Sequence, residues 1–253
     1  WALLEDQLSV FHKMLRKVVY RSSETFIACS VKGKKYFESY NIPPGKIFIS
    51  PLIIDNNVFS NNNSTHQSRP YDLLFSGRLI GSKNPGFFIQ VAGELKKAYK
   101  NDIRLLVIGD GPLRDEIISE MDKEKLDYHY PGFVSQEELP FYYGSAKLLL
   151  FPTSFDAWGV VANEAQSAGT PVIVTPYAGC SDELILDNYN GFVVSLDVKL
   201  WVDKCSELLG NESLWKTFSE RAKLTAGEFN ADKAAAALID ACRSSIKIGG
   251  NEK

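Results

Sequence analysis

The residues best suited to chemistry are two acids that flank a short turn, Asp156 and Glu164, with seven residues between them. The turn contains Trp158-Gly159-Val160, where a helix is predicted to begin. A loop acid and a helix acid placed in this way can accept hydrogen bonds from two separate groups of hydroxyls on one ligand. Nucleotide sugars carry two such groups, one on the ribose and one on the hexose. The first turn of the helix also presents backbone amides, which bind phosphate.

A second group of charges lies on the loop that runs from Gly77 to Lys83. Arg78 and Lys83 place two cations just ahead of a predicted helix N-terminus, and Gly77 lets the backbone approach a ligand closely. Such a loop suits a diphosphate, because Arg forks onto phosphate oxygens and Lys acts as a point charge. Taken alone, the two residues are equally explained as surface cations near a turn.

Two further loops follow predicted strands. Gly109-Asp110-Gly111-Pro112 is half of a dinucleotide-binding fingerprint, but it lacks the third glycine, which favours a tight turn that brings backbone near the ligand. Phe133 and Val134 follow the next strand, where they could flank a base or form a plain turn. After a later strand, residues 177–181 are predicted to open a helix with Glu183 in its first turn, a favourable place for an acid.

The composition excludes several classes of protein. The net charge of −3 gives no basic field for nucleic acid. No apolar run reaches the roughly 20 residues of a membrane span. The four cysteines and three histidines have no metal-ligand spacing, so no metal site is expected, and free thiols indicate a reducing, cytoplasmic compartment. The chain starts at Trp1 within a helical pattern, so we expect it to be part of a longer protein.

The first part of the chain, residues 1–59, alternates short helices and strands. Helices are predicted over 5–20 and 31–40 and strands over 25–29 and 46–51. Helix 5–20 has a basic side with Lys13, Arg16 and Lys17, which is either a solvated surface or a face that meets anionic lipid or acceptor phosphates. Residues 60–70 contain no apolar residue and are predicted to form a surface linker between two domains.

From residue 71 to 230, apolar strands alternate with helices. Strands that are apolar throughout and joined by helices predict a doubly wound α/β domain with a parallel sheet, whose ligands bind at the carboxyl ends of the strands. The tail over 197–247 is predicted to be helical, with Asn230 as the cap of the last helix. The predicted strands are 72–76, 104–108, 128–130, 147–151, 171–175 and 191–194, and the predicted helices are 85–99, 112–122, 136–144, 159–168 and 181–187.

The order of these motifs resembles that of the retaining glycosyltransferases of family 4, which have the GT-B fold. The resemblance covers about residues 20–247 and is strongest at Gly77 to Lys83, at Gly109 to Pro112 and from Asp156 to Val174. It implies two Rossmann-like domains, with the acceptor in the first and the nucleotide sugar in the second. Residues 71–230 would then be the donor-binding domain, 1–59 a remnant of the acceptor domain, and 231–253 a helix and tail that return to the first domain.

The resemblance also implies roles for individual residues. Arg78 and Lys83 would hold the diphosphate and stabilise the leaving nucleotide, a form of electrostatic catalysis that needs no metal or other cofactor. Glu164 would bind the ribose and Asp156 the donor sugar. The remaining contacts would come from Gly77, Gly109 and Gly111, from Phe133 and Val134 beside the base, and from the backbone near Trp158, Gly159 and Val160.

Two positions depart from the family pattern. Asp156 stands where glutamate is common and is one methylene shorter, and residues 51–55 read Pro-Leu-Ile-Ile-Asp where Pro-Asn-Gly-Val-Asp is usual. The predicted function is the donor-binding part of a retaining enzyme of polysaccharide biosynthesis, which moves a hexose from a nucleotide diphosphate sugar to a glycan or lipid-linked acceptor. It would act in the cytoplasm or at the inner face of the membrane, which it would contact through the missing domain, and the isolated chain would be inactive or weakly active.

Two alternatives stay open. One is a GT-B nucleotide-sugar epimerase, which would hydrolyse and invert the sugar without an acceptor. The other is a non-catalytic nucleotide-sugar binding module that a partner chain completes.

Overall fold

The computed structural model describes residues 9–60, 68–99 and 103–249, and the chain divides into two compact units. Unit 1 comprises Trp1–Ile53 and Phe229–Lys253, and unit 2 comprises Ile54–Glu228. The predicted linker over 60–70 therefore does not mark the division. The short helix Asn56–Ser60 packs against helices of unit 2. The division between the units therefore lies before this helix. Residues 61–67 of the predicted linker lie outside the described residues.

Unit 1 contains a two-stranded parallel sheet with helices around it. Its elements are α1 (Val10–Ser22), β1 (Phe26–Ala28), α2 (Val31–Glu38), β2 (Ile47–Ile49) and the last helix, Ala231–Gly249, which packs on both strands. The helix predicted over 5–20 is confirmed and ends two residues later, at Ser22, while its residues 5–8 lie outside the described residues. The other predicted helix and both strands of this region are confirmed with shorter extents. No residue of α1 is buried.

The last helix begins where the sequence predicts a cap. The Asn230 side chain accepts a hydrogen bond from the Lys233 amide at 3.1 Å, so the cap is confirmed.

Unit 2 is built on a six-stranded sheet in which every pair of neighbours is parallel. The spatial order is β5-β4-β3-β6-β7-β8, so the order of strands reverses between β3 and β6, as in Rossmann folds. All six predicted strands are confirmed: β3 (Tyr71–Ser76), β4 (Arg104–Ile108), β5 (Asp127–Gly132), β6 (Ala146–Phe151), β7 (Val172–Val174) and β8 (Gly191–Val193).

Helices cover the sheet of unit 2, and their starts follow local capping chemistry. The predicted helix over 136–144 begins three residues late, at Leu139, and residues 136–138 form a turn before it. The Ser135 hydroxyl and amide donate to the Glu138 carboxylate at 2.9 Å and 3.4 Å. Among the described residues, no helix is long and apolar enough to span a membrane. The helices are α3 (Asn56–Ser60), α4 (Pro85–Tyr99), α5 (Arg114–Lys123), α6 (Leu139–Ser145), α7 (Val160–Ser167), α8 (Val198–Leu209) and α9 (Glu212–Gly227).

The helix predicted over 181–187 is absent, and that prediction is wrong. Asp182 and Asn188 have φ angles of 68° and 56°, which a right-handed helix does not permit. The buried side chain of Asn190 accepts a hydrogen bond from the Leu186 amide at 2.8 Å and donates one to the Leu184 carbonyl at 2.9 Å. A polar side chain thus takes the place of helical hydrogen bonds and holds this segment as turns.

Arg69, which was predicted to lie in a surface linker, is 2% exposed. Its Nη1 donates to the Ala146 carbonyl at 2.7 Å and to the Thr170 hydroxyl at 2.5 Å, and its Nη2 donates to the Ala168 carbonyl at 2.8 Å. The guanidinium also stacks over Trp215, 5.0 Å from the ring centroid. Burial lowers the pKa of Arg69 to about 10, so it stays charged at neutral pH. We call this arrangement the Arg69 cluster.

Candidate functional site

The loops that follow β3 and β6 meet where the strand order reverses, which is where ligands bind in open α/β sheets. Backbone and side-chain hydrogen bonds join them. The Ser82 carbonyl accepts from the Thr153 hydroxyl at 3.0 Å and from the Ser154 amide at 2.9 Å. The Asn84 side chain donates to the Pro152 carbonyl at 2.7 Å. The two loops therefore form one surface at the carboxyl end of the sheet, which we call the strand-end crevice.

Lys83 and Asp156 form an ion pair across this crevice. The Lys83 Nζ lies 2.5 Å from Asp156 Oδ2, and the two side chains are 21% and 23% exposed. The other carboxylate oxygen, Oδ1, accepts from the Trp158 amide at 3.1 Å. Lys83 also lies 5.6 Å from the centroid of the Phe151 ring. Two residues that were predicted to act on one ligand are thus in direct contact, and the shorter side chain of Asp156 is held at both oxygens.

Arg78 is exposed on the same loop as Lys83. It follows Gly77, whose φ of 146° is open to glycine and rare for other residues. The position leaves the guanidinium in solvent at the edge of the crevice, where it is able to meet an anion.

Gly109 and Gly111 allow the loop after β4 to pack on the loop after β3, backbone against backbone. A Cβ at Gly109 would lie 1.9 Å from the Gly77 carbonyl oxygen, and one at Gly111 would lie 2.5 Å from that of Leu79. The Leu79 amide donates to the Asp110 carbonyl at 3.0 Å. The close approach of two loops accounts for both glycines, as the predicted tight turn requires, and leaves any ligand contact to the backbone.

Helix α7 starts at the crevice with an unusual N-cap. Gly159 has a φ of 108°, and a Cβ there would lie 2.7 Å from the Phe151 ring and 2.9 Å from the Cys180 sulfur. The Trp158 side chain is fully buried, so only its backbone can touch a ligand. Val160 is the first helical residue. The Ala162 amide donates to the Gly159 carbonyl at 2.9 Å, and the amides of Val160 and Val161 precede this first bond of the helix.

Glu164 lies half-buried on α7 and is held by a residue that the sequence argument missed. The Tyr143 hydroxyl donates to Glu164 Oε2 at 2.6 Å, and the Ser76 hydroxyl lies 2.8 Å from the same phenol oxygen. Burial raises the pKa of Glu164, while the hydrogen bond from Tyr143 acts in the opposite direction. A buried tyrosine hydroxyl needs a partner, but the sequence did not indicate which of Tyr142 and Tyr143 is buried.

Phe133 and Val134 lie to one side of these residues. They follow β5, which is the edge strand and is separated from β3 by β4. The Phe133 side chain is 85% exposed and the Val134 side chain is buried. Of this pair, Phe133 alone offers a surface on which a base could stack.

The segment after β7 supports the crevice without forming a helix there. The Gly179 amide donates to the Asp156 carbonyl at 2.9 Å, and the Cys180 amide donates to the Trp158 carbonyl at 2.7 Å. A Cβ at Gly179 would lie 1.9 Å from the Ala157 carbonyl oxygen. The predicted helix start at 177–181 is therefore corrected to a turn packed on the loop that carries Asp156, and Glu183 lies in that turn.

Two clefts are lined by residues outside the strand-end crevice. One, of about 410 Å³, is in unit 1 and is lined by basic and aromatic residues that include Lys17, Arg21 and Tyr40. The other, of about 330 Å³, lies between α4 and α5. Neither contains a predicted site residue. Within the described part of the chain, no group of three or more His, Cys, Asp or Glu residues is placed to hold a metal ion, and no disulfide joins the four cysteines.

Comparison with known proteins finds a family model and several relatives that the chain resembles. The family model described as glycosyl transferases group 1 matches residues 59–225. The D-inositol 3-phosphate glycosyltransferase of Xylanimonas cellulosilytica is 28% identical over 184 residues, which cover 69% of this chain and 42% of that protein. The chain thus spans less than half the length of this curated relative.

Two solved structures share the fold. Anabaena Alr3699/HepE, crystallised with UDP and glucose, superposes with a TM-score of 0.77 at 15% identity, over 97% of this chain and 69% of that one. The C-terminal domain of a glycosyl transferase group 1 protein from Francisella tularensis gives a TM-score of 0.62 at 24% identity, over 69% of this chain and 97% of that domain. These likenesses, together with the sheet order, confirm the predicted fold class, a doubly wound parallel sheet as in the C-terminal half of GT-B proteins.

Proposed function

The chain belongs to the glycosyl transferases group 1 family, and on that premise we propose that unit 2 is the part of a retaining hexosyltransferase that binds the nucleotide diphosphate sugar. The observation that carries the proposal is the contact between Lys83 and Asp156 across the strand-end crevice. It brings the cationic loop after β3 and the acidic loop after β6 within reach of one ligand. Arg78 lies on the first loop and the start of α7 follows the second.

We infer the following arrangement of a donor. The diphosphate meets Arg78, Lys83 and the first-turn amides of α7, since cations and free amides both favour phosphate oxygens. The ribose hydroxyls donate to Glu164, and hydroxyls of the donor sugar donate to Asp156. Phe133 stacks beside the base. Lys83 already donates to one oxygen of Asp156, and the Trp158 amide donates to the other. Asp156 must therefore share Lys83 with the diphosphate.

The chemistry proposed for these residues is stabilisation of the leaving group. As the bond between the anomeric carbon and the phosphate oxygen breaks, negative charge grows on the nucleotide diphosphate. Arg78 and Lys83 are placed to stabilise that charge without themselves forming a bond. The acceptor, a glycan or a lipid-linked acceptor, would have to be supplied next to the anomeric carbon, since transfer requires both reactants in one geometry. We therefore expect weak or no transfer by these residues alone. We expect no metal requirement, because Arg78 and Lys83 supply the positive charge, and at most a peripheral contact with a membrane.

A thermal-shift panel tests this function. Wild type, Glu164→Ala and Arg78→Ala are heated with UDP, GDP and ADP sugars, because a ligand that binds the native state raises the melting temperature. We expect one class of nucleotide sugar to raise the melting temperature of the wild type by several degrees, and neither variant to respond. A response that is equal in all three proteins would refute the site, and no response to any sugar would refute donor binding.

The product identifies the reaction class. In the presence of a transferable acceptor, NMR of the new glycosidic bond would report retention or inversion at the anomeric carbon. Release of an inverted free sugar without an acceptor would instead support an epimerase.

A further inference from the structure

A hydrogen-bond network of Ser76, Tyr143 and Glu164 links three elements of unit 2. Ser76 is the last residue of β3, Tyr143 lies in α6 and Glu164 lies in α7. The oxygen–oxygen distances are 2.8 Å from Ser76 to Tyr143 and 2.6 Å from Tyr143 to Glu164. Tyr143 is fully buried, whereas Glu164 is half-buried. The hydrogen-bond network therefore runs from the interior to a carboxylate that reaches the surface.

The direction of these bonds follows from the number of protons available. An ionised carboxylate only accepts, so the single phenolic proton of Tyr143 is donated to Glu164. Ser76 must then donate its own proton to the phenol oxygen. Burial, followed by the nearby charge of Glu164, raises the pKa of Tyr143 well above its usual range, so the phenol remains a donor at neutral pH.

The aromatic ring of Tyr143 is itself held in place. Phe59 packs edge-on against it with the ring centroids 5.9 Å apart. A buried, packed ring carries its hydroxyl at a fixed point, whereas a glutamate side chain on a helix surface has several rotamers. The effect of the contact is to restrict Glu164 to the rotamers that keep Oε2 beside the phenol.

We propose that Tyr143, supported by Ser76, is a positioning residue that fixes Oε2 of Glu164 and thereby orients the rest of the carboxylate toward the ribose hydroxyls of the donor. This inference rests on the proposed function. A carboxylate has about four acceptor sites, of which Tyr143 occupies one, so the others remain for a vicinal diol. Preorganisation of this kind increases affinity by reducing the side-chain entropy that is lost on binding.

The experiment compares Tyr143→Phe with the wild type in the intact chain. Calorimetry measures the affinity for the tightest binder among UDP, GDP and ADP, and for its 2′,3′-dideoxy analogue, which lacks both ribose hydroxyls. We expect Tyr143→Phe to weaken binding of the normal nucleotide by about tenfold, a typical effect of a hydrogen bond to a charged group, and to leave binding of the dideoxy analogue unchanged. The preference for ribose would therefore collapse.

A pH profile supplies a readout that a merely structural residue would not change. Because the Tyr143 hydrogen bond favours the ionised form of Glu164, its loss should move the acid limb of nucleotide binding to higher pH. Tyr142→Phe, on the same helix, is the matched control and should behave as wild type. Should Tyr143→Phe fail to fold, Ser76→Ala tests the same hydrogen-bond network and should reduce the ribose preference to a smaller extent.

The outcomes separate the role from its premise. If wild type binds no nucleoside diphosphate, the proposed function and this role are both wrong. If wild type binds and Tyr143→Phe keeps the ribose preference and the pH profile, the positioning role alone is overturned. Equal loss of affinity for both nucleotides also overturns it, since that result indicates general damage to the site.

Discussion

The two ends of the six-stranded sheet use polar residues in opposite ways. At the amino end, the Arg69 cluster buries a cation whose two Nη atoms donate to the carbonyls of Ala146 and Ala168 and to the hydroxyl of Thr170. At the carboxyl end, Arg78 is exposed, and Lys83 has a carboxylate partner that remains within reach of solvent. The two arginines are nine positions apart and flank a single strand, β3.

The difference indicates that stability and binding are separated along β3. The acceptors of Arg69 are two backbone carbonyls and a buried hydroxyl, which no ligand can replace without unfolding. Asp156, the partner of Lys83, and Glu164 are both partly exposed, so a ligand can share their contacts. Substitutions of the charged side chains at the amino end should therefore change the free energy of unfolding, and substitutions of those at the carboxyl end should change the free energy of binding.

The largest effect is expected for Arg69→Ala. It leaves buried carbonyls without donors, each at a cost of about 1–3 kcal/mol, and it removes the stacking on Trp215. We expect the free energy of unfolding to fall by about 3–5 kcal/mol in urea titrations followed by tryptophan fluorescence. Arg69→Lys keeps the charge without the planar fork and should recover only part of the loss. A loss of unfolding free energy below about 1 kcal/mol would mean that the Arg69 cluster does not stabilise the amino end of the sheet.

Gly109→Ala tests whether the carboxyl end also contains rigid structure. The φ of 123° and the projected 1.9 Å contact with the Gly77 carbonyl force the two loops apart, so we expect a loss of about 2–4 kcal/mol. Gly81→Ala is the control in the loop after β3, on which the Gly109 loop packs, since a Cβ there meets no atom within 4 Å. Its unfolding free energy should stay within about 0.5 kcal/mol of wild type. Equal urea midpoints for the two variants would contradict the backbone contact.

Arg78→Ala is the counterpart of Arg69→Ala. Because the side chain is exposed, the unfolding free energy should change by less than about 0.5 kcal/mol. The loss of a charge-assisted contact should weaken nucleoside diphosphate binding by about 10- to 100-fold in calorimetry. Binding of the nucleoside without phosphates should not change. If Arg78→Ala destabilises the fold as much as it weakens binding, the separation of the two ends fails.

The smallest effect is expected for Glu164→Gln, and its sign is informative. The folded-state pKa of Glu164 is raised by burial, so the folded protein gains stability from this group only when it is protonated, and loses that contribution as pH rises through the folded pKa. The glutamine variant cannot ionise and can still accept from Tyr143. We therefore expect it to be more stable than wild type at about pH 8, by no more than about 1 kcal/mol, and equal to it near pH 4.

Urea midpoints at the two pH values measure this difference. A glutamine variant that is less stable than wild type at pH 8 would show that the carboxylate contributes to folding, and the carboxyl end would then not be specialised for binding.

The sequence predicted the sheet because its strands are apolar throughout and its helices carry local caps. It also placed Lys83 and Asp156 at carboxyl ends of strands of one sheet, and in the structure the two side chains meet. It failed where distant contacts decide the structure. Arg69 lies in a stretch of polar residues, and its burial depends on carbonyls about 75 to 100 positions away in the chain.

Other features were missed for the same reason. The segment over 181–187 has a helical pattern, but the Asn190 side chain supplies hydrogen bonds that hold it as turns. The burial of Tyr143, and not Tyr142, goes with contacts to Phe59, Ser76 and Glu164, which lie on other elements far away in the chain. The proposed roles of Arg78, Phe133 and Asp156 remain predictions, since they concern a ligand.

The pairing of Lys83 with Asp156 has a consequence for ionic strength. A site with two unpaired cations attracts a diphosphate strongly in dilute buffer and loses that attraction steeply as salt is added. Here added salt weakens the pull of Arg78 on the ligand and, at the same time, weakens the hold of Asp156 on Lys83. The two effects oppose each other, so nucleotide affinity should decline with salt nearly as if one cation were present, and the site should discriminate against simple polyanions more than its two basic residues suggest.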